Sequence, residues 1–287
     1  METDLASPLV VYHGNCPDGF GAALAAHLVL GDRAEYLPGT FAPEEALPPA
    51  QGRDVYILDY SYPRAAMDQL AAQASSLTLL DHHATAADNL LGWKPVCCGK
   101  VHLVMDKSGA VLAWEHFHPN VPVPRLFLHI QDRDLWTWQL PDSAAFLAWL
   151  DQQPRTFQAW TRILRMTEAE YAQAVQTGLA LVADFDANCQ QLAQAGQPIW
   201  LAGIPGRQVS ASREFVSHVG QLLAEQSGTF GLVWFEENGM ACCSLRSVKN
   251  SGFNVEQLAR RFGGGGHKAA AGFKLPMPVF RETLGAS

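Results

Sequence analysis

The stretch that most restricts the fold of this chain is an apolar run that ends in one acid and two histidines. Residues 77–80 (Leu-Thr-Leu-Leu) have the composition of a buried β-strand, and Asp81, His82 and His83 follow directly. In an open α/β sheet, ligands bind at the edge where the carboxyl ends of the strands lie. Such a tripeptide alone is more often structural than functional, so its meaning depends on the rest of the chain.

Two further predicted strands, over residues 9–12 and 54–61, also deliver polar groups near their ends. A turn containing glycine and proline and then a predicted helix follow the first of them, and this alternation of strand and helix predicts a doubly wound, mostly parallel sheet. Oxygen and imidazole groups gathered at one edge of such a sheet suit divalent metal ions. The groups delivered there are His13, Asp18 and Asp59, together with Asp81, His82 and His83.

Another acidic pair, Asp132 and Asp134, lies at the end of a predicted helix, just before Trp136. A solvated helix end would explain both acids. Given the metal cluster already predicted, however, Asp132 is the expected additional ligand and Asp134 is the alternative. Ser108 precedes another predicted helix, whose first amides could meet an anion, although an ordinary serine N-cap explains this residue at least as well.

A change of composition after about residue 150 divides the chain into three predicted parts. Residues 1–150 form the first α/β domain, residues 151–196 form a linker of two helices, and residues 197–287 form a smaller α/β domain with a mixed sheet. In the last part, the run Gly263–Gly266 before His267 predicts a nest of backbone amides that holds an anion, followed by the start of a small-residue helix. A flexible glycine linker is the alternative.

The composition excludes several classes of protein. Of the 287 residues, 48% are hydrophobic and 17% are charged, which is typical of a chain with a substantial core. The longest apolar runs are too short to span a bilayer, and the acidic N-terminus does not have the pattern of a signal peptide. The net charge of −8 argues against a broad basic surface for long nucleic acid. The six cysteines lack zinc-knuckle spacing, so we expect buried free thiols in a reducing cytoplasm for all of them except Cys16.

Taken together and in this order, the motifs resemble the DHH phosphoesterase family with its C-terminal DHH-associated domain. The resemblance implies an active site in the cleft between the two α/β domains and two Mn²⁺ ions in the first domain. His13, Asp59 and a further group from the first turn would hold one ion. The residues that would hold the other are Asp18, Asp59, His82 and Asp132, with Asp59 bridging the two ions.

The resemblance also implies roles for the remaining motif residues. Asp81 would orient the histidine pair, His83 would face the substrate phosphate, and a water shared by the two ions would attack phosphorus. The DHH-associated domain would hold the rest of a nucleotide or oligonucleotide. The residues expected to do so are Arg246, Ser247, Gly264, Gly265, Gly266 and His267.

One position departs from the family pattern. The first turn usually carries two acids, and Cys16 stands where the first of them is expected. A thiolate suits Zn²⁺ or Fe²⁺ better than Mn²⁺. Three interpretations stay open: Cys16 binds the metal and changes the preferred ion, it lies near the metal without binding, or this ion is weakly held and partly supplied by water.

The leading hypothesis is a metal-dependent phosphodiesterase or phosphatase that acts on small nucleotides or oligonucleotides of a few residues. The charge, and the absence of a basic stripe with interleaved aromatic residues, argue against a nuclease for long strands. A pyrophosphatase or polyphosphatase, and a non-catalytic nucleotide sensor, are the alternatives. Phe41, Trp136 and Trp138 could supply a platform for a nucleobase, although we expect them to pack in the core. The sequence leaves the oligomeric state open, a homodimer included.

Overall fold

The computed structural model describes residues 7–14, 16–39, 46–248 and 251–285. Phe41, one of the residues considered as a platform for a nucleobase, lies outside the described residues. The chain divides into two compact units, one up to Val182 and one from Ala183 onward. The first unit contains a parallel sheet of five strands and the second a separate mixed sheet, which confirms the predicted α/β fold class.

The first unit alternates strands with helices and ends in a run of helices. Its strands are β1 (Leu9–His13), β2 (Glu35–Gly39), β3 (Asp54–Leu58), β4 (Ser76–Asp81) and β5 (Cys98–Leu103). Its helices are α1 (Pro17–Leu30), α2 (Arg64–Gln73), α3 (Ala84–Asn89), α4 (Gly109–Phe117), α5 (Arg125–Asp134), α6 (Ser143–Asp151) and α7 (Phe157–Leu164). The long helix α8 (Glu168–Gln194) begins in the first unit and ends in the second.

The parallel sheet has the strand order β2-β1-β3-β4-β5. The chain goes from β1 outward to β2 and then returns past β1 to β3, so the direction of strand addition reverses between β1 and β3. Val10 and Leu80 point into a core formed with α1, α4 and α5, whereas Val11 and Leu79 point into a core on the opposite face of the sheet, formed with α2. The sheet is therefore doubly wound, and the carboxyl ends of β1 and β3 form the edge where such folds bind ligands.

The second unit is built on a mixed sheet of six strands. Its strands are β6 (Gln197–Leu201), β7 (Ile204–Ser210), β8 (Gly231–Glu237), β9 (Met240–Arg246), β10 (Gly265–His267) and β11 (Ala270–Pro276). Its helices are α9 (Val216–Ser227), α10 (Val255–Arg260) and α11 (Met277–Gly285). The order is β10-β11-β9-β8-β7-β6, in which β7 and β8 are parallel and every other neighbouring pair is antiparallel.

The prediction that a helix starts after the glycine run is wrong. The segment from Ala270 forms β11, which pairs with β9 from Ala270–Arg246 to Pro276–Met240. The side chains of Ala271 and Phe273 are buried in the core of this unit. Pairing and burial therefore outweigh the weak strand preference of alanine and glycine.

Among the described residues, no helix combines the length and apolar character needed to cross a membrane.

Candidate active site

The carboxyl ends of three neighbouring strands deliver the predicted site residues to one place. His13 is the last residue of β1, Asp59 follows β3, and Asp81 is the last residue of β4. The polar atoms of three overlapping groups of side chains lie close enough to share metal ions, within 4.8 Å of one another in each group. These groups are His13, Cys16 and Asp59; Asp59, His82 and His83; and Asp18, His82 and Asp134.

Asp59 is the buried centre of the cluster. It has a left-handed backbone conformation with φ of 55°, which aspartate tolerates better than most residues, and its amide donates to the carbonyl of Leu80 at 2.8 Å. The N-terminus of α4 packs directly against its side chain, because a Cβ added at Gly109 would overlap the Cβ of Asp59. The backbone and the neighbouring helix thus fix the direction of this carboxylate.

Cys16 places its sulfur inside the cluster. Its Sγ lies 3.3 Å from Nδ1 of His13 and 3.4 Å from Oδ2 of Asp59. Cys16 is also the N-cap of α1, where Sγ accepts a hydrogen bond from the amide of Gly19 at 3.2 Å. Burial and the nearby Asp59 carboxylate raise the pKa of the thiol well above its ordinary value. A cation bound beside this sulfur would favour the thiolate instead.

Asp18 is held by the N-terminus of α4. The amides of Gly109 and Ala110 donate to its two carboxylate oxygens at 2.6 and 3.0 Å. Both interpretations of this helix start therefore apply, and the anion at its first amides is a carboxylate of the same chain. Ser108 also acts as the N-cap of this helix, because its hydroxyl accepts from the amide of Val111 at 3.4 Å.

The imidazole of His82 faces three carboxylates. Its Nε2 lies 3.1 Å from Oδ1 of Asp59, 3.5 Å from Oδ2 of Asp18 and 3.3 Å from Oδ2 of Asp134. Nε2 of His82 and Oδ1 of Asp59 are both buried, and among the described residues neither atom makes a hydrogen bond of regular geometry, although they lie 3.1 Å apart. Buried polar atoms without well-formed hydrogen bonds are rare, and a donor set of carboxylate oxygens and imidazole nitrogens fits a divalent cation.

The pKa values show how negative the cluster is. Burial and the charge of Asp59 raise the pKa of Asp18 well above its ordinary value, and burial also raises that of Asp134. Burial alone would lower the pKa of His82, but the three surrounding carboxylates raise it to about 9. Burial alone would likewise raise the pKa of Asp59, yet the neighbouring imidazoles hold it well below its usual range. The fold therefore gathers more negative charge than one imidazolium neutralises.

Asp81 directs the ring of His83. Its Oδ1 accepts hydrogen bonds from the amides of His82 and His83 at 2.7 and 3.2 Å and lies 2.7 Å from Nδ1 of His83. This contact is the main reason why the pKa of His83 is raised. The side chain of His83 is partly exposed, and its Nε2 is the ring nitrogen that Asp81 does not hold.

The structure does not bring Asp132, the expected additional ligand, to the cluster. The buried Asp132 carboxylate accepts hydrogen bonds from Oγ1 of Thr137 at 2.6 Å and from the amides of Gln139 and Leu140 at 2.7 and 3.1 Å. Residues two apart on a helix point in nearly opposite directions, because each residue turns the helix by about 100°. Asp134, the alternative ligand, is therefore the acid that faces His82, while Asp132 organises the segment that follows.

The residues expected to bind substrate in the second unit have varied surroundings. The guanidinium of Arg246 donates to the hydroxyls of Ser244 at 2.9 Å and Ser217 at 3.0 Å. Ser247 is buried, and its hydroxyl donates to the carbonyl of Phe253 at 3.2 Å. The glycine run supplies β10, which is exposed and contains Gly265, Gly266 and His267; Gly264 directly precedes it.

A cavity of about 550 Å³ in the second unit lies beside this glycine run. Its lining includes Ser244, Gly264 and two basic side chains, Arg213 and Lys274, that sequence reasoning missed. Only the charge of these two residues could have suggested them, because neither lies in a recognisable motif.

Comparison with known proteins identifies the second unit. Residues 196–285 match the family model of the DHHA1 domain. A protein of Acanthamoeba polyphaga mimivirus without an assigned function is 28% identical over an alignment of 287 positions, which covers 92% of this chain and 66% of that protein. The present chain thus spans about two thirds of the length of this relative.

Solved structures share the fold of nearly the whole chain. A pGpG-specific phosphodiesterase, PggH, from Vibrio cholerae has a TM-score of 0.55 at 15% identity, with 97% of each chain covered. The DHH domain of a protein described as belonging to a family of ribosomal proteins has a TM-score of 0.60 at 14% identity, with 98% of this chain and 85% of that chain covered. RecJ from Thermus thermophilus, solved with Mn²⁺, has a TM-score of 0.51 at 17% identity, with 98% of this chain and 52% of that chain covered. The chain therefore has the fold of the DHH proteins and carries a DHHA1 domain, which confirms the resemblance drawn from its motifs.

Proposed function

We propose that this protein is a metal-dependent phosphoesterase that hydrolyses short oligonucleotides or small nucleotides. The observation that carries the proposal is the buried cluster of ligand atoms around Asp59, in which Oδ1 of Asp59 and Nε2 of His82 lie 3.1 Å apart without a hydrogen bond of regular geometry. The DHHA1 domain and the shared fold support it, because the structural neighbours include a pGpG-specific phosphodiesterase and a RecJ bound to Mn²⁺.

Two cation sites follow from the groups of side chains around Asp59. His13, Cys16 and Asp59 would hold one cation, and Asp18, His82 and Asp134 would hold the other, with Asp59 available to both. When bound, such cations neutralise phosphate charge and lower the pKa of a coordinated water near neutrality. Mn²⁺ is the ion we propose, since oxygen ligands predominate; the sulfur of Cys16 would favour Zn²⁺ or Fe²⁺ at the first site.

The chain's own residues supply the remaining parts of the reaction. Asp81 fixes Nδ1 of His83, so the partly exposed ring can donate from Nε2 to a substrate phosphate. The raised pKa of His83 favours the protonated ring that this role needs. We further propose that Arg246 and the glycine run with His267 bind the rest of the nucleotide.

The proposed substrate class is short because the chain is acidic. A net charge of −8 is unsuited to holding many phosphates along a strand. A few phosphates need only a local group of basic side chains, and Arg213 and Lys274, which both pair with Glu237, line the cavity of the second unit. We place the reaction in a reducing cytoplasm, where the free cysteines of the chain would persist.

The decisive experiment compares hydrolysis of three substrates by the purified protein with Mn²⁺. We expect mononucleotide release from a 5′-phosphorylated dinucleotide, or phosphate release from 3′-phosphoadenosine 5′-phosphate. Asp59→Asn and His82→Ala should each lower turnover about a thousandfold, in line with the removal of a charge-stabilising group from a catalytic site. Asp54→Asn, at the opposite end of β3, and His102→Ala, on β5, are the matched controls and should leave turnover unchanged.

The third substrate is pyrophosphate. Release of phosphate from pyrophosphate alone would replace the proposal with a pyrophosphatase, and nucleotide binding without any product would replace it with a sensor. Full activity of Asp59→Asn would exclude Asp59 as the shared ligand.

A further inference from the structure

The segment that follows Asp134 exposes two tryptophans. Trp136 and Trp138 are 56% and 38% exposed, so the expectation that they pack in the core is wrong. Their rings meet edge to face, with centroids 5.3 Å apart and planes inclined by 78°. Large aromatic side chains are normally well buried, and two adjacent exposed ones indicate a contact surface.

The backbone at both tryptophans has an unfavourable left-handed conformation. Trp136 and Trp138 have φ values of 55° and 50°, and Asp142 at the end of the segment has a φ of 64°. Left-handed conformations cost bulky residues about 1 kcal/mol or more each. They persist where the surroundings fix them, and they concentrate at functional sites.

The surroundings that fix the segment are the hydrogen bonds of Asp132. Its buried carboxylate accepts from Thr137, which separates the two tryptophans, and from the amides of Gln139 and Leu140 just beyond them. The carbonyl of Asp132 also accepts from the amide of Trp138 at 3.3 Å. The hydrogen bonds that the buried carboxylate of Asp132 accepts thus define the path of the chain through both tryptophans.

The tryptophans also lie close to the proposed metal site. Trp136 is two residues beyond Asp134, so their Cα atoms lie within about 8 Å of each other. The carboxylate of Asp134 is 3.3 Å from Nε2 of His82. Trp136 thus lies two positions along the chain from a side chain of the cluster, and Trp138 contacts Trp136 edge to face.

We propose that Trp136 and Trp138 form a stacking platform for the nucleobase of the substrate. This inference rests on the proposed function, since it concerns the nucleotide that the cluster would act on. Indole rings stack on any nucleobase, because every base presents a flat aromatic face. Purines expose a larger ring face than pyrimidines, so the platform favours a purine.

The test compares two ligands that differ only in the base. Adenosine 5′-monophosphate and ribose 5-phosphate carry the same sugar and phosphate, and neither contains a phosphodiester bond to cleave. Their dissociation constants are measured by calorimetry with Mn²⁺ present, for the wild type, Trp136→Ala, Trp138→Ala and the phenylalanine variants at both positions. Trp200→Ala is the matched control, because Trp200 lies on β6 of the second unit and is 53% exposed.

We expect the wild type to bind the nucleotide more tightly than ribose 5-phosphate by a factor between about 5 and about 150, the range that one base-aromatic stack provides. At least one alanine variant should lose most of this advantage while its affinity for ribose 5-phosphate stays unchanged. The phenylalanine variants and Trp200→Ala should keep the advantage.

An unchanged ratio in both alanine variants would overturn the platform. An equal loss of affinity for both ligands would also overturn it, because the tryptophans would then only position Asp134. These outcomes are separate from failure of the proposed function: a wild type that cleaves no dinucleotide but shows the expected ratios has the platform without the activity.

Discussion

The two acids at the end of α5 offer a sharp test, because the structure gives them different roles. Asp132 organises the segment that follows the helix, whereas Asp134 faces His82. Replacing each by asparagine preserves shape and removes charge. We expect Asp132→Asn to lower the stability of the metal-free protein with little direct effect on the metal ligands, and Asp134→Asn to weaken Mn²⁺ binding without lowering that stability.

The size of the Asp132 effect follows from its pKa. Burial opposes the charged form, but hydrogen bonds from Ser143, Thr137 and two backbone amides lower the pKa of this carboxyl from 3.8 to about 2. A carboxyl group whose pKa is lower in the folded than in the unfolded protein stabilises the fold at any pH above the unfolded pKa. This stabilisation is lost as the pH falls through the folded pKa. At pH 7 it is fully present and amounts to about 2 kcal/mol. For a unit of this size that corresponds to a fall in Tm of about 4–8 °C.

Asp134 should behave in the opposite way. Burial raises the pKa of Asp134, and the charge of Asp59 adds to this effect. Removing the negative charge of Asp134 therefore removes an unfavourable burial and charge repulsion from the metal-free protein. Its Tm should stay the same or rise. Loss of a direct ligand should weaken Mn²⁺ binding at least about tenfold, since even an outer partner of a metal ligand contributes that much.

The assay is scanning calorimetry of protein treated with a chelator at pH 7, paired with calorimetric titration of Mn²⁺. Glu168→Gln is the control, since it breaks a single-contact ion pair between the exposed Glu168 and Arg125 and should change neither quantity appreciably. The reasoning is refuted if Asp132→Asn melts like the wild type and loses Mn²⁺ binding while Asp134→Asn binds Mn²⁺ normally. Asp132 would then be the ligand.

Three other predictions concern the same cluster. Stabilisation by Mn²⁺, measured as the rise in Tm over the chelated protein, should be larger at pH 8.5 than at pH 6. The charged His82, whose pKa is raised to about 9, stabilises the metal-free fold at low pH, and this effect is lost as the pH rises. The raised pKa of Asp18 acts in the same direction. Gly109→Ala should lower turnover at least tenfold with a folded circular dichroism spectrum, because the added Cβ overlaps Asp59; wild-type turnover would show that the helix can shift. Cys16→Asp should shift metal preference toward Mn²⁺ if the sulfur is a ligand, as judged by activity with Mn²⁺ and Zn²⁺, and an unchanged preference would make Cys16 a bystander.

The sequence predicted the sheet and most of the cluster because the relevant signals are local. Each strand of the sheet's centre is an apolar run that ends in a polar residue, and parallel pairing brings those ends together whatever the loops do. His13, Asp59 and His82 therefore meet as the order of the motifs implies. The ligand roles of these residues stay predictions.

Two features could not be predicted from the sequence, because they depend on the rotation of a helix about its axis and on strand pairing between distant segments. Asp132 and Asp134 both flank Arg133 at the end of a helix, and only the rotation of α5 about its axis decides which one faces His82. The segment from Ala270 reads as the start of a helix because its residues are small. It becomes a strand because β9, more than twenty residues earlier in the chain, pairs with it along seven positions.

The exposed tryptophans show why local preference fails most clearly near a site. Apolar rings predict burial, and left-handed backbone at bulky residues is unfavourable, so both Trp136 and Trp138 contradict the local rules. The structure places them directly after a proposed metal ligand and holds them with the carboxylate that sequence reasoning assigned to the metal. Asp132 thus fixes the short segment that carries both indoles, and in the proposed function this segment would determine where the indoles meet the base.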